Sequence, residues 1–113
     1  MHDHNAQGND FFKCDFCRRS WADSLPMVEG HQGSLICAEC LTAAFTRVVV
    51  ENAGEPLVPP AVCALCLEQR ADPHWRGPLA DAFACKRCIK QSAAILERDP
   101  DVAWKRPAAP KPA

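Results

Sequence analysis

Cys14-Asp-Phe-Cys17 and Leu35-Ile-Cys37-Ala-Glu-Cys40-Leu41, nineteen residues apart between the cysteine pairs, decide how this 113-residue chain is read. A two-residue spacer lets both sulfurs of a pair turn toward one ion, and a second pair completes a tetrahedral thiolate site. The pattern recurs as Cys63-Ala-Leu-Cys66 and Cys85-Lys-Arg-Cys88, now with eighteen residues between the pairs. Both gaps fall in the range that reads as zinc. The eight cysteines therefore divide into two ligand sets, Cys14, Cys17, Cys37, Cys40 and Cys63, Cys66, Cys85, Cys88, each expected to hold one structural Zn²⁺.

The same spacings expose a repeat. Cys14 to Cys63 and Cys17 to Cys66 are both 49 residues, whereas Cys37 to Cys85 and Cys40 to Cys88 are both 48. The chain reads as two copies of one unit that differ by a single-residue indel between the pairs.

Composition narrows the rest. A chain this short buries only a small core, which excludes large cofactor-binding enzymes, and pieces below roughly 40 residues usually need a metal, disulfides or oligomerisation. Disulfides would require export, yet Met1–Asp10 is polar and lacks the hydrophobic stretch of a secretory signal. The expectation is a cytoplasmic protein, where clustered cysteines favour metal. A redox CxxC needs a strand and helix of a larger βαβ fold. Iron–sulfur ligation is chemically open to four cysteines, and a colourless metalloprotein dismisses it. No apolar run approaches the roughly 18 residues of a membrane span.

The predicted architecture is small α+β: two tandem treble-clef-like four-cysteine zinc modules, each a knuckle, a β-hairpin and an α-helix. Residues 1–13 are expected as a disordered lead, 14–50 as module 1, 51–62 as a Pro-rich linker, 63–98 as module 2 and 99–113 as a disordered Pro/Ala tail. Hairpin turns are signalled by Gly30-His-Gln-Gly33 and Gly77-Pro78. Leu41, Ala44, Phe45 and Val48 recur at i, i+3, i+4 and i+7, and Ile89, Ser92, Ala93 and Leu96 repeat that spacing 48 residues later.

A site closed by four cysteines leaves no coordination position for a reacting water, so the zinc is read as structural and the protein as no enzyme. Arg18 and Arg19 near the first site, and Lys86, Arg87 and Lys90 near the second, are candidates to offset the negative charge of four thiolates. The four histidines, His2, His4, His31 and His74, are read as surface residues. Trp21 and Trp75 are assigned to loops, as core filler or interface anchors, and Trp104-Lys-Arg-Pro107 to the tail or to a short docking motif.

Cys14-Asp-Phe-Cys17, the turn at Met27-Val-Glu-Gly30 and Leu35-Ile-Cys37-Ala-Glu-Cys40-Leu41 resemble the N-terminal four-cysteine zinc-binding domain of the ClpX unfoldase. Module 2 keeps the outline, with Arg87 in place of the acidic residue matched by Glu39. No phosphate-binding loop is present, so neither ATPase nor unfoldase activity carries over. The resemblance implies a domain that dimerises through its hydrophobic helix face and docks substrates and adaptors, with Leu41, Phe45, Val48, Ile89 and Leu96 as the contacts. Two tethered copies would then pair within one chain or as a homodimer.

The expected role is a non-enzymatic protein-interaction module, an adaptor or unfolded-protein-binding factor in bacterial protein quality control, with no small-molecule substrate. Nucleic-acid binding is the alternative. Module 1 carries three Lys/Arg against four Asp/Glu, and module 2 six against four. Only Lys86, Arg87, Lys90 and Arg98 gather near one helix, short of a dense basic stripe.

Overall fold

The computed structural model describes residues 1–57, 61–79 and 82–108. Module 1 contains β1 (Met27–Glu29), β2 (Leu35–Cys37) and α1 (Ala38–Phe45), which continues as a π-helical turn over Thr46–Val50. Module 2 contains β3 (His74–Arg76), β4 (Phe83–Cys85) and α2 (Lys86–Arg98). Each strand pair is an antiparallel hairpin, with Met27 opposite Cys37 in one and His74 opposite Cys85 in the other.

The third cysteine of each set does two jobs. Cys37 and Cys85 hold extended backbone at the helix N-cap, and their sulfurs accept the N–H of Cys40 and Cys88, both at 3.4 Å. A thiolate thus takes the place usually filled by a hydroxyl or carboxylate. The helices end differently. After Phe45 the chain meets three consecutive valines, Val48–Val50, whose branched side chains crowd a helix. The ladder there shifts to a π turn closed by Glu51 N–H on the Thr46 carbonyl at 2.8 Å. In α2 the last turn, Ile95-Leu-Glu-Arg98, has a single β-branched residue and keeps α geometry until Asp99-Pro100 stops it.

The duplication persists at the level of single hydrogen bonds. In the knuckles, Cys14 N–H reaches the Arg19 carbonyl at 3.0 Å and Cys63 N–H reaches that of Glu68 at 3.1 Å. Arg18 and Leu67 both take left-handed backbone, with φ of 66° and 61°. Ala38 N–H to Pro26 and Lys86 N–H to Pro73 are both 2.9 Å. These equivalences refine the single-residue indel. Module 2 has seven residues (67–73) between knuckle and hairpin where module 1 has nine (18–26), and a hairpin loop of six (77–82) where module 1 has five (30–34).

The two modules share one core. Val28, Ile36, Leu41, Ala44, Phe45 and Val48 of the first join Leu65, Ala84, Ile89, Ala93 and Leu96 of the second in a continuous buried cluster. Helix α1 lies on α2, α2 also packs on β1, and β3 packs on the π turn that follows α1. Phe45 and its counterpart 48 residues on, Ala93, are both buried in this cluster.

The described parts of both chain ends make contacts with the modules. Residues 1–13 fold back so that His2 bridges to Phe12, Lys13 pairs with Asp3 at 2.9 Å, and Lys13 bridges to Ser20. In the tail, Trp104 Nε1–H donates to Thr42 Oγ1 at 2.9 Å, and the Arg106 guanidinium lies 5.4 Å from the Phe45 ring centroid while pairing with Glu97. In the linker, Glu55 and His74 exchange two backbone hydrogen bonds of 2.8 Å. The linker prolines Pro59 and Pro60, and tail residues 109–113, lie outside the described residues.

Candidate metal centres

Both ligand sets come together as the spacing predicts. Cys14, Cys17, Cys37 and Cys40 place their four sulfurs within 4.8 Å of one another, and so do Cys63, Cys66, Cys85 and Cys88. Tetrahedral zinc at a Zn–S distance of about 2.3 Å requires sulfurs about 3.8 Å apart. Cys17 and Cys37 are 3.7 Å apart, and Cys66 and Cys85 4.0 Å. The residues fit the ion, and all the cysteines are buried except the half-buried Cys66.

Backbone amides complete each cradle. Cys14 Sγ accepts from Phe16 N–H and Cys37 N–H, both at 3.4 Å, and Cys63 Sγ accepts from Cys85 N–H at 3.3 Å. Among the bare thiols, hydrogen bonds from Cys37 and Cys40 hold Cys14 far below the ordinary thiol range, while Cys37 is pushed up to about 12 chiefly by its bond to Cys14. Cys63 is lowered in the same way by Cys85 and Cys88, and Cys85 is pushed up to about 11 by its bond to Cys63. One thiolate per cluster is thus bought by its neighbours' S–H groups. Four thiolates at once require a cation, which zinc supplies when bound.

The charged residues around the sites divide sharply. Arg19 Nε donates to Cys17 Sγ at 3.3 Å, and the same guanidinium pairs with Glu39. Its charged form is favoured, chiefly by that sulfur bond. Arg18 turns to Met1 Sδ instead. In module 2, Arg87 pairs with Glu68 at 3.3 Å. Glu68 follows Arg19 by 49 residues and Arg87 follows Glu39 by 48, so the same ion pair stands in both modules with its polarity reversed. The departure of Arg87 from the acidic pattern is therefore compensated by Glu68. This pairing was legible in the repeat offsets but escaped a reading that considered basic residues alone. Lys86 and Lys90 line a shallow cleft with Arg70, Asp72, Arg87 and Gln91 and make no ion pair among the described residues.

Leu41, Val48 and Ile89 have no exposed surface, and Phe45 and Leu96 are 3% and 2% exposed. The helix face singled out for partners is therefore covered by the chain's own second module. Two residue types were misplaced by sequence reasoning. His74 is a core residue, 1% exposed, with Nδ1 2.6 Å from the Asp72 carbonyl and Nε2 without a partner among the described residues. It occupies the position that Met27 holds in module 1. Trp75 belongs to β3 and not to a loop, and its ring lies 5.4 Å from that of Phe16 in the other module.

Contacts between the modules are reciprocal. Gly30 begins the first hairpin loop, and the next residue, His31, donates its N–H to the carbonyl of knuckle residue Leu65 at 2.7 Å. Gly77 begins the second loop, and Leu79 N–H reaches the carbonyl of knuckle residue Phe16 at 3.3 Å. A Cβ on Gly30 would fall 2.7 Å from the Leu65 oxygen, and one on Gly77 would fall 2.9 Å from the Phe16 Cβ. Each hairpin turn thus caps the other module's knuckle, with glycine at both approaches.

Taken together, this is a small α+β protein of two cross-docked four-cysteine zinc modules, stabilised by two zinc ions. Residues 12–48 match the ClpX C4-type zinc finger family, and the second four-cysteine cluster at 63–88 supports two tandem zinc modules. The match covers about a third of the chain. Searches of curated proteins and of solved structures returned no match. No helix among the described residues is long and apolar enough to cross a membrane.

Proposed function

We propose that the protein is a non-enzymatic interaction module whose two zinc fingers pair within one chain, and that it serves as an adaptor or unfolded-protein-binding factor in bacterial protein quality control. The observation that carries the pairing is the reciprocal docking of hairpin turns on knuckles, His31 on Leu65 and Leu79 on Phe16. An isologous contact of this kind is what two identical domains make across a twofold axis. Here a covalent tether replaces dimerisation, at an effective concentration of order millimolar.

Closed four-thiolate sites support a structural zinc without catalytic chemistry. The family match at residues 12–48 supports protein interaction. Charge weighs against nucleic acid as the partner, since Arg70 and Arg87 are already engaged by Glu68 and Asp72. The test is direct binding of the zinc-loaded chain to a reduced, unfolded client and to an ATP-dependent unfoldase, alongside duplex DNA and RNA. Saturable binding to the client or the unfoldase is expected. Salt-dependent binding to nucleic acid alone, lost on Lys86→Glu with Lys90→Glu, would replace this reading.

A further inference from the structure

The two helices present matching faces that the chain treats differently. A 48-residue offset puts Lys86 and Lys90 of α2 in the places of Ala38 and Thr42 in α1. On α1 this face is taken. Trp104 Nε1–H donates to Thr42 Oγ1 at 2.9 Å, from within residues 102–108, a stretch with neither helix nor strand. The linker that leaves α1 does not return the arrangement on α2, because Glu55 pairs with His74 of β3 instead. Among the described residues, none bonds to the side chain of Lys86 or Lys90.

The cleft beside this face has a volume of about 380 Å³. On its rim Glu68 lies 3.1 Å from Arg70 and 3.3 Å from Arg87, and Asp72 lies 3.4 Å from Arg70, so both guanidiniums are already paired. The ammonium groups of Lys86 and Lys90 remain, one turn and about 6 Å apart along the helix axis. Ile95, one turn beyond Gln91, is 50% exposed and gives the face an apolar end. The next cation on the lysine row, Arg98, stands about 12 Å beyond Lys90. Its Nε donates to the Ala94 carbonyl of its own helix at 3.1 Å. Two open cations, carboxylates on the rim and an apolar end suit a short acidic peptide better than a continuous run of phosphates.

We propose that this face of α2 binds an extended acidic segment of a partner protein. Two carboxylates, two positions apart, meet Lys86 and Lys90, and a large apolar residue two positions further meets Ile95. Alternate residues of an extended chain lie on one side at about 6–7 Å, close to the spacing of two lysines one turn apart. Gln91, exposed between the lysine row and Ile95, offers its amide to the peptide backbone. The face is particular to module 2, since neither Ala38 nor Thr42 carries a charge. The proposal rests on the protein-interaction reading above and gives it a location and a charge preference.

The experiment uses the full zinc-loaded chain, uniformly ¹⁵N- and ¹³C-labelled, and the acetylated, amidated nonapeptide Ser-Leu-Thr-Glu-Thr-Glu-Thr-Leu-Ser, whose symmetric order serves either chain direction. Saturable shifts are expected at the Lys86, Lys90 and Gln91 amides and at the Ile95 methyls, with the α1–α2 seam unmoved. Lys86→Gln with Lys90→Gln should weaken the peptide about tenfold, the combined effect of two exposed ion pairs, and so should glutamine in place of both peptide glutamates. Lys86→Glu with Lys90→Glu should instead favour an analogue with two lysines, while a circular-dichroism spectrum shows the fold intact. No shifts at millimolar peptide, shifts confined to other surfaces, or equal binding of the glutamine analogue would overturn the proposal. So would shifts at Lys86 and Lys90 that the peptide fails to produce but an oligonucleotide, or a higher concentration of the chain alone, does. Failure of the wider reading looks different: the chain then binds neither an unfolded client nor an unfoldase, whatever the nonapeptide does.

Discussion

Arg19 and Glu68 occupy the same place in the two knuckles and carry opposite charge, and each finds its partner at the second residue of the following helix, Glu39 or Arg87. Both pairs are largely exposed, so each contributes at most about 1 kcal/mol. Reversing Arg87 to Glu should therefore cost a few tenths of a kcal/mol by thermal denaturation, and adding Glu68→Arg should recover it. A double mutant no better than the single would show that the pair has no coupling. Arg19 has a second task, because its Nε donates to Cys17 Sγ. Arg19→Ala should weaken zinc at the first site by about tenfold, the lower end for residues that support metal ligands. Competition with a chromophoric chelator, site 2 serving as the internal reference, measures this directly. The approach glycines are tested in the same way. Gly30→Ala presses a methyl onto the Leu65 backbone, which cannot rotate aside, and should destabilise the fold by about 1–3 kcal/mol.

At the scale of elements, the helices are legible in the sequence and their surroundings are not. The period of Leu41, Ala44, Phe45 and Val48 locates α1 and its apolar face, and the N-cap role of Cys37 follows from the second CxxC opening the helix. The period does not say what covers that face. Leu41→Ala should cost about 2–5 kcal/mol, because the residue is fully buried between the modules. If Leu41 instead served an external partner, the isolated chain would scarcely register the change. The clusters set the other dependence of these elements. Zinc lowers thiol pKa values below the unfolded thiol's ordinary 9.0, so its contribution is complete above that value and is lost as pH falls through the metal-bound pKa values. Acid or a strong chelator should therefore abolish the α2 helical signal and shift the Trp emission to the red together. A helix that survives both would place the folding energy elsewhere.

For the molecule as a whole, one continuous core joins both modules, and neither helix keeps an apolar face free for a second copy. Sedimentation should give a mass of about 12 kDa at micromolar concentration, matching the single chain of 12.4 kDa. A stable 25-kDa species, about twice that mass, would mean that modules exchange between chains. The ends of the chain were the least legible part. Residues 1–13 and 99–108 are polar or proline-rich, which reads as disorder because such segments cannot build a core of their own. They do not need to: Phe12 is held by the Trp21 N–H on its carbonyl, and Val102 and Trp104 pack against a core that already exists.

The sequence alone determined both zinc sites, the duplication and the helix faces, because ligand spacing and hydrophobic period are local properties carried by residues within one turn or one hairpin of each other. The pairing of the modules, the burial of His74 and the cross-docking of each hairpin turn on the other module's knuckle were decided only in three dimensions. They depend on which residues meet across separations of some tens of positions. A periodic pattern shows that a face must be covered, but only tertiary structure shows that this chain covers it with its own second copy.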